Sequence, residues 1–382
     1  MTIQIKKLRT TEQNLVNRLT QVDWSFSARD RPHPIEGIHP YPAKFIGELP
    51  RALLNILPCP DGCSIFDPFA GGGTTLVEAQ RAGLESIGID LNPIACLISR
   101  VKTSVLPRDL ISVGATITAA AREDCPRVKS DIPNLDHWFK PEVQAAVASI
   151  LREINKLQEP SLLDALRLSM SSILVRVSNQ DSDTRYAAVE KNIRPDAVYK
   201  LFSNAVTRTH KALSMRAWDL GPTRVLEADT LQVNPNIFSK PVGLVITSPP
   251  YPNAYEYWLY HKYRMWWLGF DPLAVKSNEI GARAHFFKKD AHTELTFWEQ
   301  MRRTFDLIND VLIQSGHACF VIGRSKIRGK EIDNASIIES VATEIGFDLI
   351  ARIERPISST NKSFNLSHAN IKSETIVILR KR

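Results

Sequence analysis

The sequence predicts an α/β protein: an open, mostly parallel sheet flanked by helices and broken by a helical insertion. Three observations carry this. Apolar runs of strand length recur, at Cys63-Ser64-Ile65-Phe66, Ser86-Ile87-Gly88-Ile89, Val242 to Ile246 and Ala318 to Gly323. The first leads into Asp67-Pro68-Phe69-Ala70-Gly71-Gly72-Gly73-Thr74-Thr75 and a helical segment from Leu76. A strand, a glycine turn and a helix form a unit that lets backbone approach a nucleotide-like ligand. Third, residues 103–222 are dominated by alanine- and leucine-rich helical patterns and read as an insertion. The expected division is 1–102 as the ligand-binding half, 103–222 as the insertion and 223–382 as the catalytic half.

Bulk properties narrow the class. With 382 residues, 43% hydrophobic and 23% charged, the chain is long enough for one large domain or two ordinary ones. Five cysteines, an odd number without paired short spacing, argue against a disulfide framework or a zinc site. The nine histidines are scattered, so no metal is expected. No apolar run is long enough to span a membrane, and Met1 to Lys7 lacks the apolar core of a signal peptide. A reducing cytoplasm is the expected location. A charge of +7 and a pI near 9.1 permit a polyanionic partner without requiring one.

In chain order, residues 1–38 are polar and mixed, with Asp23-Trp24-Ser25-Phe26 as an anchor on the main domain. His39-Pro40-Tyr41-Pro42 excludes regular helix, and the helical spacing of Phe45, Leu49, Leu53, Leu54 and Leu57 then predicts an amphipathic helix. Asn92-Pro93 starts another, Ile94 to Lys102. The insertion predicts helices over Val143–Leu157, Leu162–Val177 and Ala197–Trp218, with scattered basic residues including Arg176, Lys191, Arg208 and Lys211. It reads either as a cap over a pocket or as one wall of a nucleic-acid cleft. Val225 to Thr230 returns to strand-like sequence. Phe297–Leu312 and Ile337–Ile345 predict helices. Phe347–Glu354 and Thr375–Leu379 predict a closing antiparallel hairpin, joined by the polar loop Ser358 to Lys372.

The glycine loop constrains its ligand. It lacks the Gly-Lys-Ser/Thr ending of a triphosphate loop, and an acid precedes its glycines, where it would repel pyrophosphate. Asp67 would instead welcome a cationic amino group, which points to S-adenosylmethionine. Asp90, ending the next strand, is placed for the two ribose hydroxyls, and Asp229 for the adenine amino group. The reaction is suggested by Thr247-Ser248-Pro249-Pro250-Tyr251 after a buried strand. Prolines fix φ and supply no N–H, leaving neighbouring carbonyls free. The Ser248 side chain and the Pro249 carbonyl can accept from an exocyclic amino group, drawing its lone pair out of conjugation. Tyr251 offers a stacking face for a base. A base inside a duplex must be flipped out to reach such a site. Carbon methylation of cytosine would need a nucleophilic cysteine in a Pro-Cys pair after the glycine loop. Pro58-Cys59 lies before that loop.

On these motifs the chain resembles the amino-methyltransferases of DNA, the family that methylates N4 of cytosine or N6 of adenine. Asp67 to Thr75 matches the family's cofactor loop, with Gly72 where serine is frequent. Asp90 matches its ribose acid, and Thr247 to Tyr251 its catalytic motif. His39 to Phe45 resembles a segment that precedes the cofactor loop in one branch and contacts the methionine end. The resemblance covers about 39–102 and 225–323. It implies a Rossmann-like class I methyltransferase with a seven-stranded sheet, S-adenosyl-L-methionine as cofactor and double-stranded DNA as partner. Catalysis is then expected from Ser248, Pro249, Pro250 and Tyr251. Cofactor binding is expected from Lys44, Phe45, Asp67, Pro68, Phe69, Gly71, Gly73, Thr74, Asp90, Leu91, Asp229 and Thr247.

Substrate contacts are expected from His39 and Tyr41 and from Asn253, Tyr255 and Tyr257 of the aromatic run after the motif. Arg283 and Lys288 of a basic loop, with Arg324, Lys326 and Arg328, are expected on phosphates. The serine form of the motif is associated with N4-cytosine enzymes, so cytosine N4 is the first expectation and adenine N6 the second. The order, with the cofactor loop first, is the reverse of many N4-cytosine enzymes. An RNA or tRNA amino-methyltransferase and a catalytically silent DNA-binding relative are the rival readings. A restriction-modification role carries the further expectation of a separate cognate endonuclease, since no nuclease motif is apparent in this sequence.

Overall fold

A computed structural model describes residues 3–4, 10–28, 31–42, 44–124, 131–183, 185–252, 256–286, 291–357 and 373–382. The expected contacts Asn253, Tyr255 and Lys288, and the polar loop 358–372, lie outside the described residues. The main sheet contains β1 (Ile3–Gln4), β2 (Ser64–Asp67), β3 (Ser86–Asp90), β4 (Thr223–Glu227), β5 (Val242–Thr247), β6 (Leu312–Gly323), β7 (Phe347–Pro356) and β8 (Ser373–Lys381). Their spatial order is β1-β7-β8-β6-β5-β2-β3-β4. Strands β4, β3, β2, β5 and β6 pair in parallel. β8 runs against both β6 and β7. The seven expected strands and the closing hairpin are all present, and β1 adds an eighth by pairing antiparallel with β7 at the edge.

The inner strands are short apolar runs because helices cover both faces. β2 and β5 are buried along their whole length. On one face, Leu49, Leu53 and Ile56 of the helix Glu48–Ile56 pack with Trp24, Ile65, Leu244 and Val321. Trp24 is fully buried and donates its indole N–H to the Leu19 carbonyl, so the expected anchor is in place. On the other face, Phe297, Met301 and Phe305 of the helix Glu294–Val311 pack with Phe66, Phe320 and Phe347.

The insertion lies within the crossover from β3 to β4. Its long helices are Leu110–Glu123, Pro141–Ile154, Pro160–Ile173 and Pro195–Ser214. They share one apolar core with Ile94, Leu97 and Val101 of the helix Pro93–Thr103 and with Trp258 and Met265 of the helix Tyr257–Trp267. Arg100 and Asp164 pair at 2.7 Å and bolt this core to the sheet layer. No helix among the described residues is long and apolar enough to cross a membrane.

The architecture fixes where a ligand can sit. β2 has β3 on one side and β5 on the other, so the crossovers leaving this strand diverge. Open α/β sheets bind ligands outside the carboxyl ends of strands at such a switch point. Asp67, Asp90 and Thr247 end those three strands.

Candidate active site

An open cavity lies at this switch point. Of the expected cofactor contacts, Lys44, Phe45, Phe69, Gly71, Thr74, Asp90, Leu91 and Asp229 line it. Ser248 and Pro250 of the proline turn line the same cavity, as do Tyr41 and Tyr257. The structure thus brings the glycine loop and the proline turn, about 170 residues apart in sequence, to one space.

Asp90 is held in a fixed orientation. One carboxylate oxygen accepts from the Gly71 amide and the other from the Asn92 amide, both at 2.8 Å. An ionised carboxylate offers about four acceptor positions, so roughly two stay available to a ligand. Burial pushes its pKa up to about 6, against these two amides, which lower it. Asp229 accepts from the Leu231 amide at 3.0 Å and the Gln232 side chain at 2.7 Å, standing at the cavity wall as the cap of a short turn.

Asp67 takes a different position from the one expected. It does not line the cavity. Its buried carboxylate accepts from the Thr247 hydroxyl at 2.6 Å and the Phe69 amide at 3.1 Å. It therefore ties the cofactor loop to the residue that opens the proline turn. Burial again dominates its pKa, pushing it up to about 6, while the Thr247 and Thr75 hydroxyls lower it. Thr247 is fully buried in this bond. The Pro68 carbonyl accepts from the Thr230 hydroxyl. Gly73 is the positive-φ entry (74°) to the helix Thr74–Arg81, and a Cβ there would stand 2.7 Å from the Ser99 hydroxyl. These four residues build the loop from behind.

In the proline turn, Pro249 is buried and Tyr251 packs on the core beside Phe66 and Phe297. Tyr41 and Tyr257 line the cavity with Phe45 and Phe69; the two tyrosine rings stack with centroids 5.6 Å apart, and Tyr41 also stacks on His261 at 5.3 Å. His39 is buried, bonds Ser171 Oγ at 2.9 Å through Nε2, and lines a neighbouring cavity. Arg283, Arg324, Lys326 and Arg328 are exposed and line neither cavity. Arg324 pairs with Glu331 and Glu354, beside a two-stranded ribbon formed by Ser325–Ile327 and Lys330–Ile332.

Two residues outside the sequence reading shape the site. Glu279 lines the cavity and accepts from the Tyr257 and Trp258 amides, at 2.7 and 2.8 Å. It satisfies the amino end of the helix Tyr257–Trp267. Burial pushes its pKa up to about 8, although both amides lower it. Gly281, two residues on, has φ 74°, and a Cβ there would lie 2.5 Å from the Tyr251 carbonyl. The segment from Glu279 thus braces both ends of the stretch after the proline turn. Lys102 is the other: its buried amine donates to the Gly72 carbonyl at 2.7 Å, and burial holds its pKa well below the usual lysine range. Both sit in stretches read for charge or helix, where no sequence signal marks a buried cation or carboxylate. Among the described residues, no cluster of histidine, cysteine and acidic side chains could hold a metal ion.

The sheet order and the acid–glycine loop at its switch point define a Rossmann-like, class I methyltransferase fold. Residues 3–100 match the family model described as DNA methylase. The resemblance to the DNA amino-methyltransferases is borne out by that match. It is 42% identical over 91 residues to the type II methyltransferase M.MjaII of Methanocaldococcus jannaschii, covering 22% of this chain and 16% of that protein. It is 25% identical over 239 residues to the type II methyltransferase M.MvaI of Kocuria varians, covering 56% of this chain and 53% of that one. The matches thus span about half the length of M.MvaI and less of M.MjaII. Among solved structures, TrmN from Thermus thermophilus superposes with a TM-score of 0.36 at 12% identity, over 88% of this chain and 49% of that one.

The family's cofactor is S-adenosyl-L-methionine, and the cavity fits it. Asp90 keeps acceptor positions that suit a diol, Phe69, Leu91 and Ile280 give apolar walls that suit a purine, and Lys44, whose amine donates to the Glu36 carbonyl, adds a cation to the lining.

Proposed function

We propose that this protein transfers a methyl group from S-adenosyl-L-methionine to the exocyclic amino group of a flipped-out base in double-stranded DNA, cytosine N4 first. One observation carries this reading: Ser248 and Pro250 face the same cavity as Asp90 and the glycine loop. The cofactor, when bound, supplies a methyl group already activated by its sulfonium. The Ser248 hydroxyl then accepts from the amino group and favours a more pyramidal, more nucleophilic nitrogen. Tyr257, supported by its stack on Tyr41, offers a ring at the cavity wall against which a base is held. The Asp67–Thr247 bond keeps the two halves in register, so catalysis rests on positioning and electrostatics. Serine, rather than a carboxylate or amide, at position 248 supports cytosine over adenine. The names of the two type II relatives support a restriction-modification role.

The test is methyl transfer by the purified chain from labelled cofactor to host-derived DNA and, in parallel, to total RNA. Nucleoside mass spectrometry is expected to find N4-methylcytosine in DNA. N6-methyladenine would move the base choice, and label in RNA alone would move the substrate. Bound cofactor with no transfer to any nucleic acid would sink the enzyme reading. Ser248→Ala is expected to lower kcat by about tenfold or more while leaving cofactor affinity within twofold. An unchanged kcat would remove Ser248 from the chemistry.

A further inference from the structure

A second cavity opens beside the first. Tyr41 and Lys44 line both, so the two are neighbours across one wall. Its far side comes from the insertion: Ser172 in the helix Pro160–Ile173, Arg176 just beyond it, and Arg208 in the helix Pro195–Ser214.

Several arginines of the insertion are held by carboxylates. Arg122 pairs with Asp196, and Arg152 with Asp124 and Glu153. Arg176 and Arg208 have no carboxylate partner among the described residues. Arg208 is instead steered by one hydrogen bond, from Nη2 to Ser172 Oγ at 2.9 Å, leaving most of its fork free. Burial and the neighbouring Arg176 charge both lower its pKa, as two cations crowding one space do. The acid that lines this cavity, Asp183, is already paired with the buried Arg264. Two guanidiniums without a carboxylate partner thus stand together, facing one concavity.

We infer that Arg176 and Arg208 form a phosphodiester-binding site that grips the DNA strand whose base enters the neighbouring cavity. This rests on the proposed methylation of DNA. A guanidinium fork matches two phosphate oxygens, and contacts of this kind set register and orientation without reading sequence. The shared Tyr41 wall places the grip next to the base. It gives the insertion a direct part in substrate capture.

The experiment measures binding of a 30-base-pair duplex to the full chain by fluorescence anisotropy, with S-adenosylhomocysteine present, across a salt series. The variants are Arg176→Gln, Arg208→Gln, the double variant and, as a control on the same helix, the exposed Lys211→Gln. The double variant is expected to bind at least tenfold more weakly. Its plot of log affinity against log salt should be shallower by about two, near 0.9 per lost phosphate contact. Affinity for S-adenosylhomocysteine should hold within twofold, which also shows that the variant is folded. Unchanged DNA affinity and slope in the double variant, or an equal loss in Lys211→Gln, overturns the site while leaving methylation of DNA standing. Wild-type protein that binds RNA but not the duplex, or neither, overturns both.

Discussion

At the scale of single residues, the site is governed by carboxylates held against their preference. Burial raises Asp90 from the ordinary 3.8 to about 6. An acid whose folded pKa is raised favours its protonated form on folding. Its contribution to stability is therefore fully present below 3.8 and is lost as pH rises towards 6. A ligand donating to the carboxylate reverses this by favouring the ionised form. Cofactor binding through Asp90 is thus expected to weaken as pH falls through 6 and to release protons there. Calorimetry in buffers of different ionisation heat reads this directly, and Asp90→Ala should abolish the release while weakening binding about tenfold. Release that persists in the variant would assign it to another buried carboxylate, Asp67 at about 6 or the cavity-lining Glu279 at about 8. The sequence identified both acids by position after strands. It could not show which one faces the ligand, because that depends on the Thr247 hydroxyl, 180 residues away in the chain.

At the scale of elements, what was legible followed from periodicity. The apolar runs of β2, β3, β5 and β6 and the helix after Asn92-Pro93 were readable because burial on two faces, or a cap with proline at the first turn, leaves a local pattern. The helix Thr10–Thr20 was not. Its apolar residues, Leu15, Val16 and Leu19, make a narrow stripe in an otherwise polar stretch. Helix Leu110–Glu123 passed unmarked within the insertion. The brace at Glu279 was hidden in a segment read as a basic loop, since a carboxylate serving a helix end distant in sequence carries no local signature. Its role is open to test. Glu279→Ala leaves two amides at the start of the helix Tyr257–Trp267 without their acceptor, at a cost of about 1–2 kcal/mol. Hydrogen exchange of the Tyr257 and Trp258 amides should quicken relative to the rest of that helix, and kcat should fall more than cofactor affinity. Equal exchange in the variant would leave Glu279 without a bracing role.

At the scale of the whole molecule, the insertion is part of the protein's body rather than an appendage. The core that fills it runs without interruption into the helix after β3 and the helix after the proline turn. Such continuity predicts cooperative unfolding. Phe202, fully buried in the insertion, is the probe: Phe202→Ala should cost about 3–5 kcal/mol and shift one transition for the entire chain. Denaturant melts followed by insertion tryptophans and by cofactor binding should coincide. Two separated transitions would make the insertion an independent unit. The class of fold was legible from the sequence, whereas this shared core was not, because helical patterns alone do not say which helices face one another.

The bond between Asp67 and Thr247 has a consequence for how the two ligands meet. One carboxylate anchors both the loop proposed to lie beneath the cofactor and the turn proposed to receive the base. Whatever tightens one side restricts the other, so the two binding events share a free energy. Thermodynamic reciprocity then requires that cofactor raise DNA affinity by the same factor by which DNA raises cofactor affinity. Thr247→Val, which keeps the shape and removes the hydroxyl, should bring that factor towards one in a titration of each ligand with and without the other. A factor unchanged from the parent protein would show that the two ligands communicate by another route.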